Sequence, residues 1–338
     1  MLYFTTYFDK NYLSRGLVLY ESLRKHCIDF ELYILCLDEF THEYFKKSND
    51  SFPSVKTLSI NELEDYDTDL KECKKTRNKI EYYFTLSPCL PLYLLKKYQL
   101  PHICSLDADI MFFSSPEKIF SYLEMYSVLI TPHNYSTGLK HKEIYGNYNV
   151  SFQIFKNDEN GLECLEGWRK QCIDWCYDKL EDNKYADQKY LDNWTSEYKG
   201  VYPIDILGSG VAPWNLNRHK IKSINGSLYL NNSKLIFYHF HDLRIIDEQL
   251  ILHGLDNYLV KMDNTIINSL YKPYIDNIFS YNFSSDTEIK RYNTQQQNTL
   301  KTILFRKNWF YYRSGLLFEK SNIFRSLGRI FLKMLNKK

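Results

Sequence analysis

The 338-residue chain has no run of about 18 apolar residues, the length an α-helix needs to cross a bilayer, so nothing in it reads as a membrane span. It also lacks a basic segment followed by a long apolar stretch at its start. Met1-Leu2-Tyr3-Phe4 enters structure at once, and the expectation is a chain without a secretory leader. None of the eight cysteines (Cys27, Cys36, Cys73, Cys89, Cys104, Cys164, Cys172 and Cys176) form Cys-x-x-Cys pairs with zinc spacing. Cys164, Trp168, Cys172 and Cys176 recur every four residues, as the core face of a helix does. The thiols are expected to be reduced in a cytoplasmic chain. The sequons Asn149-Val150-Ser151 and Asn193-Trp194-Thr195 would then go unused. A Gly-rich dinucleotide fingerprint, a Walker loop, G-x-S-x-G and H-E-x-x-H are all missing, which argues against dehydrogenase, P-loop kinase, hydrolase and zinc-protease chemistry. Internal repeats and low-complexity tracts are absent as well.

What is present is a core-forming composition, 44% hydrophobic and 17% aromatic, and a lopsided charge. Residues 301–338 hold ten Lys or Arg against one Glu, a net +9. With +2 over the whole chain, the first 300 residues carry −7. An acidic body argues against nucleic-acid binding; a basic tail suits an anionic membrane surface. Between Asn308 and Leu335 aromatic and aliphatic residues alternate with Arg325, Arg329 and Lys333, the pattern of an amphipathic interfacial helix.

Leu2–Tyr7 reads as a strand, Tyr12–His26 as an amphipathic helix and Glu31–Leu37 as a second strand. This β-α-β opening predicts an α/β fold with a mostly parallel sheet. A third strand follows at Ser54–Ile60, then an apolar helix at Tyr82–Tyr98, interrupted near Pro88 and Pro91. Pro116–Met125 reads as a short helix, Ser127–Thr131 and Val150–Phe155 as strands, and His133–Tyr148 as a polar loop. Gly161–Leu180 and Tyr185–Trp194 read as helices, Leu207–Leu216 as a Gly/Pro loop and Lys234–His241 as a strand. The stretch 247–283 reads as helical, and Ser284–Thr299 as a linker.

The chemistry centres on Leu106-Asp107-Ala108-Asp109, where an apolar run ends in two carboxylates. Side chains at i and i+2 of extended backbone point the same way, so Asp107 and Asp109 can converge beyond a strand's end. Hard oxygen ligands in that position suit Mg²⁺ or Mn²⁺. Tyr238-His239-Phe240-His241 puts two imidazoles on one strand face, and one of them could complete an Asp/Asp/His site for Mn²⁺.

Five segments in order across residues 1–245 resemble the GT-A fold nucleotide-sugar glycosyltransferases. They are similar to family eight of the carbohydrate-enzyme classification and to bacterial polysaccharide and lipopolysaccharide transferases. Thr6, Tyr7 and Asp9-Lys10-Asn11-Tyr12 resemble the base-binding strand and loop, with Asp9 and Asn11 on nucleobase and ribose. Leu106-Asp107-Ala108-Asp109 resembles the Asp-x-Asp motif. Tyr148-Asn149-Val150-Ser151-Phe152 resembles the Asn-bearing strand near the donor sugar, with Ser151 where glycine is usual. Tyr185-Ala186-Asp187-Gln188 resembles the motif beside the anomeric carbon, and His239 the third metal ligand. Ala212-Pro213-Trp214-Asn215 matches a loop of the bacterial relatives, after Gly208-Ser209-Gly210 where those relatives often carry Asn.

The resemblance implies a catalytic domain at 1–245; composition and charge set off a helical extension and linker at 246–300 and a basic tail at 301–338. The resemblance implies Mn²⁺ (or Mg²⁺), a UDP-sugar donor, a glycan or lipid-linked acceptor and retention of anomeric configuration, and the basic tail implies work at the inner face of the plasma membrane. Asp187 and Gln188 are the candidates for the reacting carbon, His133 or Asp205 for a base, and Trp214 for an acceptor platform. A rival reading is a nucleotide-sugar-binding protein without transfer. Another is a sugar nucleotidyltransferase, which calls for a Gly-rich N-terminal loop with a basic residue that Thr5–Lys10 lacks.

Overall fold

The structure is a computed structural model that describes residues 1–247, 249–281, 309–313 and 316–319. Its centre is a seven-stranded sheet. The strands are β1 (Leu2–Phe8), β2 (Phe30–Cys36), β3 (Val55–Ser59), β4 (His102–Leu106), then, past the short outlying β5 (Ile110–Phe112), β6 (Val128–Pro132), β7 (Tyr148–Lys156) and β8 (Val201–Pro203). Their order is β3-β2-β1-β4-β7-β6-β8. Only β7 runs antiparallel to its neighbours. The expected mixed, mostly parallel sheet flanked by helices is therefore what the chain forms.

Alternation along β1 explains the two-sided core. Phe4 and Phe8 pack with Ile34, Leu106 and the helix Leu13–His26 on one face. Tyr3 and Tyr7 face the other side, against a core that holds Leu35, Ile103 and Ile130. There the helices Lys79–Tyr98 and Glu159–Asp174 cover the sheet. The Lys79–Tyr98 helix runs unbroken through Pro88 and Pro91, contrary to the expected interruption. Each internal proline costs about 3 kcal/mol. Leu86, Leu90, Tyr93, Leu94 and Leu95 are each buried to 1% exposure or less. At roughly 1.5–3 kcal/mol apiece they outweigh that cost.

Leaving β1 the chain steps outward to β2 and β3, then returns to β1's other side with β4. That reversal is the point where open α/β sheets bind ligands, beyond the carboxyl ends of the strands. Asp9 follows β1 and Asp107 follows β4, so both lie there.

A second assembly frames this edge. It comprises β9 (Ile221–Ile224), β10 (Ser227–Leu230) and β11 (Ser233–Lys234), then β12 (Phe237–His239), and a sheet of β13 (Arg244–Ile245), β14 (Leu250–Leu252), β15 (Phe310–Arg313) and β16 (Leu316–Glu319). The helical reading of 247–283 holds only for its second half. Asp247 accepts hydrogen bonds from the backbone of Gln249 and Leu250, which closes a β13–β14 hairpin, and 3-10, π and α turns follow at Leu255–Tyr258, Ile266–Tyr271 and Lys272–Ser280. The expected amphipathic helix from Asn308 is likewise corrected where the chain is described. β15 and β16 form a hairpin on β14, with Trp309, Phe310 and Leu317 buried. Phe310 sits 4.6 Å from His253 and 5.6 Å from Tyr271, ring to ring. Its apolar side chains serve the body's own core. The linker at 284–299 and the tail beyond 319 lie outside the described residues. Among the described residues no helix is long and apolar enough to cross a membrane.

Candidate active site

Two elements far apart in sequence build the metal corner. β4 ends at Leu106, and the Asp107 backbone N–H donates to Ser151 O on β7 (3.0 Å). β5 then pairs antiparallel with β12, setting His239 opposite Ile110. Phe240 N–H donates to Asp109 O (2.9 Å), locking the two turns together. His239 Nε2 is thereby held 3.0 Å from Asp109 Oδ1 and 3.5 Å from Asp107 Oδ2. The three ligand atoms lie within 4.8 Å of one another and are able to hold a divalent metal ion. Two carboxylate oxygens and an imidazole suit Mn²⁺ or Mg²⁺ better than the thiolate-preferring metals. Ala108, 7% exposed, is the small residue between the acids.

The electrostatics agree with a site short of positive charge. Burial pushes Asp107 upward, and the neighbouring Asp109 carboxylate adds to that. Burial also opposes ionisation of Asp109, but His239 hydrogen-bonded to it holds its carboxyl below the usual range. His239 is raised against its own burial, by Asp109 first. His241 is pushed down to about 4 by burial and by His239, and stays neutral.

A second corner is built around Asp187. Ala186 adopts the left-handed conformation (φ +46°), an uncommon state for a non-glycine residue, and directs the chain inward. Trp168 Nε1 donates to Asp187 O (2.9 Å) and fixes the turn to the helix Glu159–Asp174. The Asp187 carboxyl is 2% exposed and its Oδ2 has no hydrogen-bond partner. Burial drives its pKa up to about 7, with a hydrogen bond from Ser87 opposing and Asp107 contributing to the rise. Ser87 Oγ also lies 3.0 Å from Tyr7 Oη, which in turn donates to Tyr83 O. Tyr7 and Asp187 thus share Ser87 as a polar neighbour.

The remaining sequence candidates have definite partners. Gln188 Nε2 donates to Tyr145 O (2.9 Å), tying its amide to the 3-10 segment Thr137–Tyr145, which was expected as loop. Asn149 is fully engaged: Oδ1 accepts from Ser151 N and Oγ, and Nδ2 donates to Thr131 O, at the register shift between β6 and β7. Thr6 is buried with Oγ1 unpartnered. Asp9 caps the 3-10 turn Lys10–Tyr12 by accepting from Asn11 N. Its other oxygen holds Lys79 Nζ at 2.6 Å and accepts from the Tyr83 hydroxyl at 3.3 Å. Lys79 and Ser87 escaped the sequence reading, because both sit on an apolar helix with no local mark of function.

Trp214 walls the metal corner. It meets His133, His239 and His241 edge-on at 5.0–5.4 Å and Tyr258 at 6.1 Å. Of the two sequence candidates for a base, His133 is buried beside Trp214 and pushed down to about 3 by burial and by His241, so it is a weak base. Asp205 is exposed beyond β8 and accepts from the Tyr202 hydroxyl.

No model of a known protein family matches the chain. It is similar to YfnD of Bacillus subtilis (strain 168), at 29% identity over 280 residues, 82% of this chain and 88% of that one. It is also similar to YfnF of the same organism, at 28% over 307 residues, 87% and 98% of the two chains. Both relatives are described as uncharacterized. Among solved structures it is similar to mouse xyloside xylosyltransferase 1 in its apo form (13% identity, 71% of this chain and 98% of that one, TM-score 0.48). Another is the galactosyltransferase LgtC in complex with donor and acceptor sugar analogs (12% identity, 82% and 96%, TM-score 0.49).

Proposed function

We propose that the chain is a metal-dependent glycosyltransferase that moves a sugar from a nucleotide-sugar, a UDP-sugar by the sequence resemblance, onto a glycan or lipid-linked acceptor. The observation that carries this reading is the convergence of Asp107, Asp109 and His239 beside a buried Asp187 whose Oδ2 has no hydrogen-bond partner, at the carboxyl edge of the sheet where its strand order reverses. Asp107, Asp109 and His239 would hold Mn²⁺ or Mg²⁺, which when bound supplies Lewis-acid stabilisation of the departing diphosphate.

The chain's own residues divide the rest of the work. Asp9, held rigid by Lys79, and Asn11 receive the base and ribose, with Thr6 and Tyr7 lining the strand above them. Asn149 and Ala108 shape the floor under the donor sugar. The anomeric carbon gains positive charge as its bond to the diphosphate weakens, as in glycoside hydrolysis. Asp187 is the carboxyl group assigned to stabilise that charge, and the Gln188 amide fixes the wall beside it. Transfer with retention, by a covalent intermediate or front-side attack, is the course the resemblance implies. Docking at the inner membrane face is assigned to the basic residues beyond the β15–β16 hairpin.

The test is release of nucleoside diphosphate from a panel of UDP- and GDP-sugars with Mn²⁺, Mg²⁺ or EDTA. Hydrolysis of one donor, lost with EDTA, is expected and names the sugar. Donor binding by calorimetry with no turnover under any acceptor would favour the binding-protein reading instead.

A further inference from the structure

Beside Tyr135 lies a hollow of about 470 Å³, lined by Pro132, Tyr135, Lys140, Glu143, Tyr148 and Arg218 among others. A chain of ring contacts runs from it to the candidate site. Tyr135 lies flat on His133 at 4.6 Å, His133 meets Trp214 at 5.0 Å, and Trp214 meets His239 at 5.4 Å. Tyr148 precedes Asn149 on β7.

Two features of this hollow suit a ligand. The first is its lining: Tyr135 and Tyr148 border it and offer ring surface to a sugar, and the Thr137–Tyr145 segment that contributes Lys140 and Glu143 also receives the Gln188 amide at Tyr145 O (2.9 Å).

The second feature is charge. Lys79 and Lys189 are neutralised by Asp9 and Asp192. Among the described residues Lys140 and Arg218 have no such carboxylate. Arg218 is anchored at the rim by donating to Asn134 O (2.9 Å), which leaves the rest of its guanidinium to receive an anion. Glu143 is the one acid on the rim. Lys142, 5.5 Å over the Tyr258 ring, adds a further positive charge nearby.

We propose that the acceptor is an acidic saccharide, whose sugar ring lies against Tyr135 and Tyr148 and whose carboxylate, phosphate or sulfate meets Lys140 and Arg218. The inference rests on the transferase reading of the adjoining site. It is tested by binding, so that its failure is separable from failure of that reading.

The full chain is examined by saturation-transfer NMR with two probes alike except in charge, p-nitrophenyl β-glucuronide and p-nitrophenyl β-glucoside. Glucose 6-phosphate against glucose serves as a second pair that separates phosphate from carboxylate. At least one acidic probe is expected to bind roughly three- to tenfold more tightly than its neutral twin. Lys140→Ala and Arg218→Ala should each erode that margin, with UDP affinity unchanged by calorimetry. Lys140 is exposed, so its variant tests the proposal even if the Arg218 variant loosens the loop. Equal binding within both pairs, or a preference that survives both substitutions, overturns it. Selective binding of an acidic probe without donor turnover upholds the acidic site and counts against transfer. Donor turnover with equal binding within both pairs does the reverse.

Discussion

Asp109, half-buried, and Asp187, buried, are acids of one candidate site, and they are driven opposite ways. Asp109 has an imidazole 3.0 Å away and is held as a carboxylate. Asp187 has a serine and an unpartnered oxygen, and burial lifts it to about 7. Where neighbouring titratable groups diverge, roles divide: on the proposed reading one stays charged to hold a cation, and the other sits near neutrality, able to carry or shed a proton. The left-handed turn at Ala186 and the β5–β12 pairing are the backbone devices that create the two environments.

The sharpest way to break the comparison is Asp109→Asn. It should lower metal-dependent donor turnover by at least about 100-fold, since even residues behind metal ligands matter 10–100-fold. It should also abolish the rise in Tm on adding Mn²⁺ that is expected of the parent chain if the ion binds its folded state. Unchanged turnover would remove Asp109 from the metal site.

Asp187→Asn should cut transfer by roughly 10²- to 10⁴-fold while stabilising the fold. The sign follows from the raised pKa. The folded state binds the Asp187 proton more tightly than the unfolded state, so the parent's stability from this group grows as pH falls through about 7 and is lost above it. The variant's advantage in Tm should therefore be largest at pH 8.5 and shrink toward pH 6. His102 and His253, pushed down to about 4 by burial, act oppositely below about pH 6.5 in both proteins and cancel in the difference. An advantage independent of pH would show that Asp187 is already neutral or already paired.

A smaller effect is expected from Ser87→Ala. Losing the hydrogen bond that lowers Asp187 should raise its pKa further and move a pH-activity limb upward, by up to about one unit. Smallest for catalysis is removal of residues 320–338. It should leave donor hydrolysis intact while releasing the protein from anionic vesicles in a sedimentation assay, and retained binding would remove the tail as the membrane contact. Truncation at 301 is a poorer test, because it would also strip Phe310 and Leu317 from the core.

Local pattern made much of this legible. The β-α-β opening, the run into Asp107-Ala108-Asp109 and the alternation around His239 are all nearest-neighbour features, and each element formed close to its expected place. The prolines at 88 and 91 misled, because burial on the sheet outweighed their local cost. Between Trp309 and Glu319 the aromatic-basic pattern misled for the same reason: Trp309 and Phe310 find their partners in the body, and strand pairing with Leu250 and Ile251 outranks helical periodicity. Lys79 beside Asp9 and Ser87 beside Asp187 were invisible, since each pairing spans 70 or more residues of chain.

The sequence by itself determined the sheet's class and the carboxylates at its edge, because hydrophobic period and the direction of side chains along a strand are local properties. Tertiary structure decided which groups meet. It brought His239 to Asp109 across the β5–β12 ribbon, sank Asp187 beside Ser87 with one oxygen unmet and left Lys140 and Arg218 on one rim. Distance and desolvation set the charge of each group, and neither exists until the chain has folded.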